Sequence, residues 1–393
     1  MNFNIVFSDQ EFPQNITKSI FLAGPSPRTY VSHQWRQDAL EILSKINFNG
    51  TVFIPIPKNK FYSDMKDSDT WTYENQIEWE LKARQISDII LFWIPRSTEH
   101  NLQGFTTNVE FGEDIHSGKI TYGRPDNAEK CRYLDQRILS INEKVFNDLE
   151  QLIVYSINKL GNGALRQNGE TFIPLFIWKT EQFQNWYTSL KNNGNSLIDA
   201  KLLHHFTSRH GVVFSFILKV NIFVAKENRY KSNEFIFSRK DISAVLPYYK
   251  ENNEIFFVSV KEFRSPVRNN SGLIHELPAG SASSAYVNPL TNAQHELQEE
   301  TGLFVEDVNR FKYVDTKQLC STLSTHSCHL YKIELNKTEF QQIQSDIQNN
   351  KSFGLQDDSE IIHLQIVPLK DIHLFDFDYS MIGMVFSALI KEI

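Results

Sequence analysis

The chain has 393 residues, 41% hydrophobic and 22% charged, which describes a folded globular protein long enough for two domains with ordinary cores. A formal charge of −7 argues against polymeric nucleic acid as the principal partner. No apolar run is long enough to span a bilayer and no basic-then-apolar leader opens the chain, so neither a membrane span nor a signal peptide is expected. The three cysteines, Cys131, Cys320 and Cys328, show no CxxC or zinc spacing, which points to a reducing cytoplasm.

In chain order, residues 3–7 read as an edge strand and residues 19–23 (SIFLA) as the first strand of a main sheet. The loop Gly24-Pro25-Ser26-Pro27-Arg28 follows. Glycine lets a ligand approach the backbone, Ser26 offers a hydroxyl and Arg28 can fork onto a phosphate or carboxylate; a plain proline-rich turn explains the same residues. Trp35, Ala39, Leu40 and Leu43 have helical spacing, and residues 51–56 read as a second strand. Residues 76–86 predict an amphipathic helix with Ile77, Leu81 and Ile86 facing inward, and its Glu78 and Glu80 read as solvated acids.

Residues 89–94 (IILFWI) form a continuous apolar run, the pattern of a strand buried on both faces, and Pro95 ends it. Thr107 or Asn108 then caps a helix whose first turn carries Glu110, beside the crevice where α/β folds hold ligands. Position alone also fits an ordinary first-turn acid. A strand at 119–122 and a helix over 142–160 complete a βαβα alternation, which predicts a doubly wound parallel sheet of the flavodoxin or Rossmann kind.

The segments SIFLAGPSPRTYVSHQWR, TVFIPIPK, YENQIEWELKARQISDIILFWIP, GFTTNVEFGEDIHSGKITYGRP and CRYLD together resemble the nucleoside 2-deoxyribosyltransferase-like family over roughly residues 19–160. The resemblance implies that Glu110 is the nucleophile that attacks the anomeric carbon of a nucleoside or nucleotide. It also implies that Gly24, Ser26, Arg28 and Asn108 bind substrate. Asp88, at the mouth of the strand, is the candidate for the acid that protonates the leaving base. The loop 104–108 carries only hydroxyls and an amide, so hydrolysis is as plausible as transfer.

Residues 161–169 (GNGALRQNG) read as a linker, within an interdomain segment 161–205 whose Trp178, Phe183, Trp186 and Tyr187 either join the domains or form ordinary core. From residue 206 the texture turns to β. HELPAG and then QHELQEETGL resemble the Nudix hydrolase family, matching the E-U-x-E-E-x-G-U half of its signature at Glu296, Leu297, Glu299, Glu300, Gly302 and Leu303. Glu296, Glu299 and Glu300 share one helical face and suit Mg²⁺ or Mn²⁺. The other half departs: His295 replaces the pattern's arginine, and Tyr286 and Val287 stand near its upstream glutamate.

KEFRSP followed by ELPAG resembles the ADP-ribose-type branch of that family. This implies that Arg264 and Glu276 hold a nucleotide-sugar, with Glu299 and Glu300 catalytic and Asp357, Asp358 or Glu360 a late base. The expected organisation is therefore an α/β domain over 1–160, the segment 161–205, and an α+β Nudix-like domain over 206–393. The expected function is a bifunctional, homo-oligomeric enzyme acting on small nucleosides, nucleotides or nucleotide-sugars. The alternative is a sensor whose second domain binds a nucleotide-sugar without cutting it.

Overall fold

The apolar runs form the centre of a parallel sheet. In this computed structural model residues 2–26, 35–58, 71–100, 102–208, 211–281, 287–354 and 360–392 are described. The candidates Arg28, Tyr286, Asp357 and Asp358 lie outside the described residues. The chain divides into two compact units, Met1–Ile236 and Phe237–Ile393.

In the first unit the elements run β1 (Asn4–Phe7), β2 (Asn15–Ile16), β3 (Ser19–Ala23), α1 (Trp35–Lys45), β4 (Thr51–Ile54), α2 (Tyr73–Ile86) and β5 (Ile89–Trp93). After them come α3 (Phe105–Asp114), β6 (Ile120–Gly123), α4 (Arg132–Leu139), β7 (Val145–Phe146), α5 (Leu149–Leu160) and β8 (Arg166–Gln167). The main sheet has the order β1-β4-β3-β5-β6-β7, and all its pairs are parallel. The chain steps from β3 to β4 on one side and returns to β5 on the other. The order therefore reverses beside β3 and opens a crevice at the carboxyl ends of the strands.

Alternation along β3 sends Phe21 and Ala23 to one face, with Trp79, Ala83, Phe111 and Ile115 from α2 and α3. Ile20 and Leu22 go to the other face, with Trp35, Leu43, Leu152 and Ile153 from α1 and α5. Both faces are covered, which is why these strands read as unbroken apolar runs.

Several expected boundaries move. The inner face of α2 carries Trp79, Ala83 and Ile86, while Ile77 and Leu81 are 41% and 50% exposed. The helix starts at a Thr72–Asn75 capping box, and Trp79 sets its rotation by packing on Phe12, Phe21 and Phe53. Helix α3 begins after Gly104, which sits at φ 64°, so Glu110 lies in its second turn and neither Thr107 nor Asn108 caps it. Helix α5 starts at the Asp148 cap, because Val145 and Phe146 pair with Tyr122 and Gly123 as β7.

Residues 161–169 are not a free linker: β8 pairs with β2, and the Arg166 side chain is fully buried. Next come α6 (Leu175–Trp178), α7 (Glu181–Asn192), β9 (Ser196–Thr207), β10 (Val213–Val224) and β11 (Arg229–Arg239), the three strands forming a sheet in the order β11-β10-β9. Phe183 and Tyr187 are ordinary core here, packed with Leu197, Phe216 and Leu218, and Trp178 and Trp186 lie against the same cluster. This β texture opens at Ser196, ahead of residue 206.

The second unit contains β12 (Ile242–Glu251), β13 (Glu254–Phe263), β14 (Leu273–Glu276), β15 (Ala279–Ser281), α8 (Pro289–Thr301), β16 (Lys312–Gln318), β17 (Ser327–Glu334), α9 (Lys337–Gln348), β18 (Ser352–Phe353), β19 (Ile362–Pro368) and α10 (Tyr379–Leu389). Its mixed sheet has the order β16-β17-β12-β13-β19-β18, with β14 on β13 and β15 on β12. Helices α8 and α9 cover one face through Ala293, Leu297, Phe340 and Ile343. The other face takes Met381, Met384, Val385 and Leu389 of α10. Asn288 caps α8 with Pro289 in its first turn, and Gly302 ends it at φ 71°. Among the described residues no helix is long and apolar enough to cross a membrane.

Candidate active site

At the carboxyl end of β3 the chain turns at Gly24. A Cβ there would stand 2.1 Å from the Trp93 carbonyl oxygen and 2.8 Å from the Trp35 ring. Glycine at this position therefore serves the packing of the loop on β5. The loop is held by Arg36 of α1, whose Nε donates to the Leu22 carbonyl (3.1 Å) and whose terminal nitrogens donate to the Gly24 carbonyl (2.7 Å) and the Ser26 hydroxyl (3.1 Å).

From α2 three polar side chains line up one turn apart. Gln76 donates both to the Pro55 carbonyl after β4 (3.2 Å) and to Glu80 (2.7 Å). Arg84, on the next turn, donates to Glu113 and Asp114 of α3 and reaches the Glu110 carbonyl oxygen. Glu110 faces this group. Burial pushes its carboxyl from 4.5 up to about 8, the Glu80 charge adds to the effect, and Arg84 and Arg36 oppose it. A half-buried acid beside a second acid can hold a proton at neutral pH.

Glu110 is legible in the sequence, whereas Arg36 and Arg84 carry no local sign of a role and Glu80 has the pattern of a solvated acid. The available signal was the spacing of Gln76, Glu80 and Arg84, a polar stripe running beside Trp79 and Ala83 on one helix.

Two expected partners are elsewhere. Asp88 sits at the amino end of β5, the opposite edge of the sheet from Glu110. Its carboxylate is buried and takes two hydrogen bonds from Arg166 (2.7 and 2.6 Å), two from Ser19 (2.9 and 3.0 Å) and one from the Leu175 amide (3.0 Å). A carboxylate so fully engaged ties the sheet to β8 and α6; it does not protonate a leaving base at the far edge. Asn108, two residues before Glu110 on α3, points to the other side of the helix and accepts a hydrogen bond from Arg96. Ser26 stays near the site, held by Arg36.

In the second unit the acids of α8 meet the β13–β15 edge. Glu300 accepts from the Ala279 amide (3.2 Å), and burial, then Glu296, raise its carboxyl well above the ordinary range. Burial, then Glu299, raise Glu296 to about 7. A Cβ at Gly280 would stand 2.5 Å from the Glu296 carboxylate, so this glycine makes room for it. Arg264 donates to Glu276 (2.7 and 3.0 Å) and pairs with Glu262 (2.8 Å). The donors Glu296, Glu299 and Glu300 have the oxygen chemistry of a Mg²⁺ or Mn²⁺ site. Among the described residues, however, no three His, Cys, Asp or Glu side chains are gathered to hold an ion, so no step is routed through a metal.

The first unit is thus a doubly wound α/β domain with Glu110 and Glu80 near one another on the helices that cover its sheet. Residues 17–127 match the family model described as nucleoside 2-deoxyribosyltransferase like, which supports a domain of that kind in this part of the chain. The match includes Arg36, Glu80, Arg84 and Glu110 and does not reach the second unit. No curated protein matches the chain.

Proposed function

We propose that the first unit breaks the N-glycosidic bond of a nucleoside or nucleotide with Glu110 as nucleophile and Glu80 in the acid role first expected of Asp88. In this reading Glu110 reacts as its carboxylate and Glu80 acts as the general acid. The Glu110 carboxylate attacks C1′ as the C1′–N bond breaks, the bond's electron pair leaves with the base, and the base takes the proton from Glu80. Water, or a second base, then displaces the sugar from the Glu110 ester. Arg36 and Arg84 hold the charge of the pair. The observation that carries the reading is the raised Glu110 carboxyl beside Glu80, inside the stretch that matches the family. A library of nucleosides and nucleotides, assayed for free base, tests it: one or more are cleaved, and Glu110→Ala abolishes cleavage. Undiminished release by that variant ends the assignment.

For the second unit the proposed ligand is a nucleotide-sugar of the ADP-ribose type; Glu296, Glu299 and Glu300 are the residues that would have to close on a Mg²⁺ or Mn²⁺ ion for it to be hydrolysed. Binding without cleavage is the competing reading, favoured because among the described residues no three acids are gathered to hold an ion. AMP released from ADP-ribose in the presence of Mg²⁺ supports hydrolysis; tight binding without AMP supports the sensor.

A further inference from the structure

On the side of α3 turned away from Glu110, a cleft of about 620 Å³ opens between α3 and α4, and its charge is of one sign. Arg96, Lys130 and Arg137 line it, with Asn108, Phe111 and Tyr133. Arg96 is only 8% exposed, yet its partners are neutral: it donates to the Lys130 carbonyl (3.0 Å) and to the Asn108 amide oxygen, and its Nε–H has no acceptor among the described residues. Among the described residues Arg137 bonds to the His116 ring alone (3.2 Å). The nearby acids are committed, Asp135 to Arg124 and Tyr122, and Glu129 to Thr98.

Three cations thus share one cleft, and among the described residues none makes a direct ion pair with a carboxylate, although Glu129 feels the Lys130 charge, in a chain with 47 acids and 40 bases. A buried guanidinium without a counter-charge is costly unless an anion completes it. The rest of the wall is not ionic. Phe111 forms an apolar floor, Tyr133 stands 75% exposed at the rim, and Gly112 leaves the helix face open, with nothing within 4 Å of where its Cβ would be. On a helix turning about 100° per residue, Asn108, Phe111, Gly112 and Ile115 face the cleft while Glu110 lies roughly opposite.

We infer that this cleft is a second small-molecule site, separate from Glu110, for a phosphate-bearing aromatic anion of mononucleotide type. The phosphate meets the Arg96–Lys130–Arg137 cluster, since forked guanidinium groups match phosphate oxygens, and the ring lies on Tyr133 and Phe111. Because Arg96 also holds Asn108 on the helix that carries Glu110, an occupant here contacts the back of the catalytic helix.

Calorimetric titration of the full-length chain carrying Glu110→Gln tests this with three probes: AMP, inorganic phosphate and adenosine. AMP binds, phosphate binds more weakly, and adenosine binds weakest. In the Lys130→Gln/Arg137→Gln background the AMP Kd rises at least tenfold, as it does on adding salt. Lys130 is exposed and Arg137 half-buried, so circular dichroism and Tm of this variant stay as in the parent. Unchanged AMP affinity in a folded double variant overturns the site. So does adenosine binding as tightly as AMP, or no AMP binding at millimolar concentration. Equal affinity for phosphate and AMP overturns the nucleotide assignment in favour of free phosphate.

Discussion

Glu110→Gln should stabilise the first unit, and only at high pH. The Glu110 carboxyl, ordinarily at 4.5, is pushed up to about 8, so the folded protein holds a proton that the unfolded chain has lost anywhere between those values. In that window the unfolded state binds fewer protons, and stability therefore falls as pH rises, from the unfolded pKa through the folded one. The gap between 4.5 and about 8, at about 1.4 kcal/mol per pH unit, is worth about 5 kcal/mol once pH exceeds the folded value. Glutamine is the neutral isostere of the protonated acid and avoids this cost. At about 2–4 °C per kcal/mol for a unit of this size, even half of that figure raises Tm by roughly 5–10 °C. Calorimetric scans of parent and variant from pH 5 to pH 9 read the difference directly. The gain should be small at pH 5 and grow to pH 8 and beyond. A pH-independent difference, or destabilisation at pH 8, would refute the buried, raised carboxyl.

Glu80→Gln removes both the proton donor and the charge that helps raise Glu110, so kcat should drop by roughly 10²–10⁴ on ordinary substrates. A substrate whose base leaves without protonation should restore most of it; equal loss on both kinds would contradict the acid role. In the parent, kcat/KM should rise as pH passes up through about 8, where the Glu110 nucleophile becomes a carboxylate, and a flat profile from pH 6 to 9.5 would contradict that. Asp88→Asn leaves the buried Arg166 without its counter-charge and should cost about 3–5 kcal/mol of stability, visible as a large loss of Tm, whereas a stable but inactive variant would return Asp88 to the chemistry. For the second unit, Mg²⁺ or Mn²⁺ at a hundredfold excess over Kd should add about 2.7 kcal/mol to its stability, and Glu300→Gln should remove most of that. A shift with ADP-ribose alone supports the sensor, and no shift with either leaves both readings without support.

What the sequence disclosed was what depends on neighbours in the chain. The run Ile89–Trp93 could be read as buried on both faces because both faces are covered, and Asn288-Pro289 and Gly302 mark the ends of α8 as their backbone preferences require. What it hid depends on partners far along the chain. Asp88 looked available for chemistry because Arg166, 78 residues away, gives no local sign that it will pair with it. The same pairing makes a glycine-rich stretch that reads as a linker part of the first unit. Glu80 reads as a solvated helix acid in sequence, and only the rotation of α2 set by Trp79 turns it toward Glu110. Thr107 and Asn108 have cap chemistry, but the turn at Gly104 starts α3 earlier and sends Asn108 to the opposite cleft.

The central claim is that Glu110 becomes covalently attached to the sugar. With a substrate identified from the base-release screen, the protein should be quenched in acid during turnover, digested and weighed peptide by peptide. The account predicts a sugar-sized adduct on the peptide that contains Glu110, accumulating in Glu80→Gln when a substrate with a good leaving base is used and missing in Glu110→Gln. Base release that continues in Glu110→Gln, or an adduct on any other residue, would contradict it.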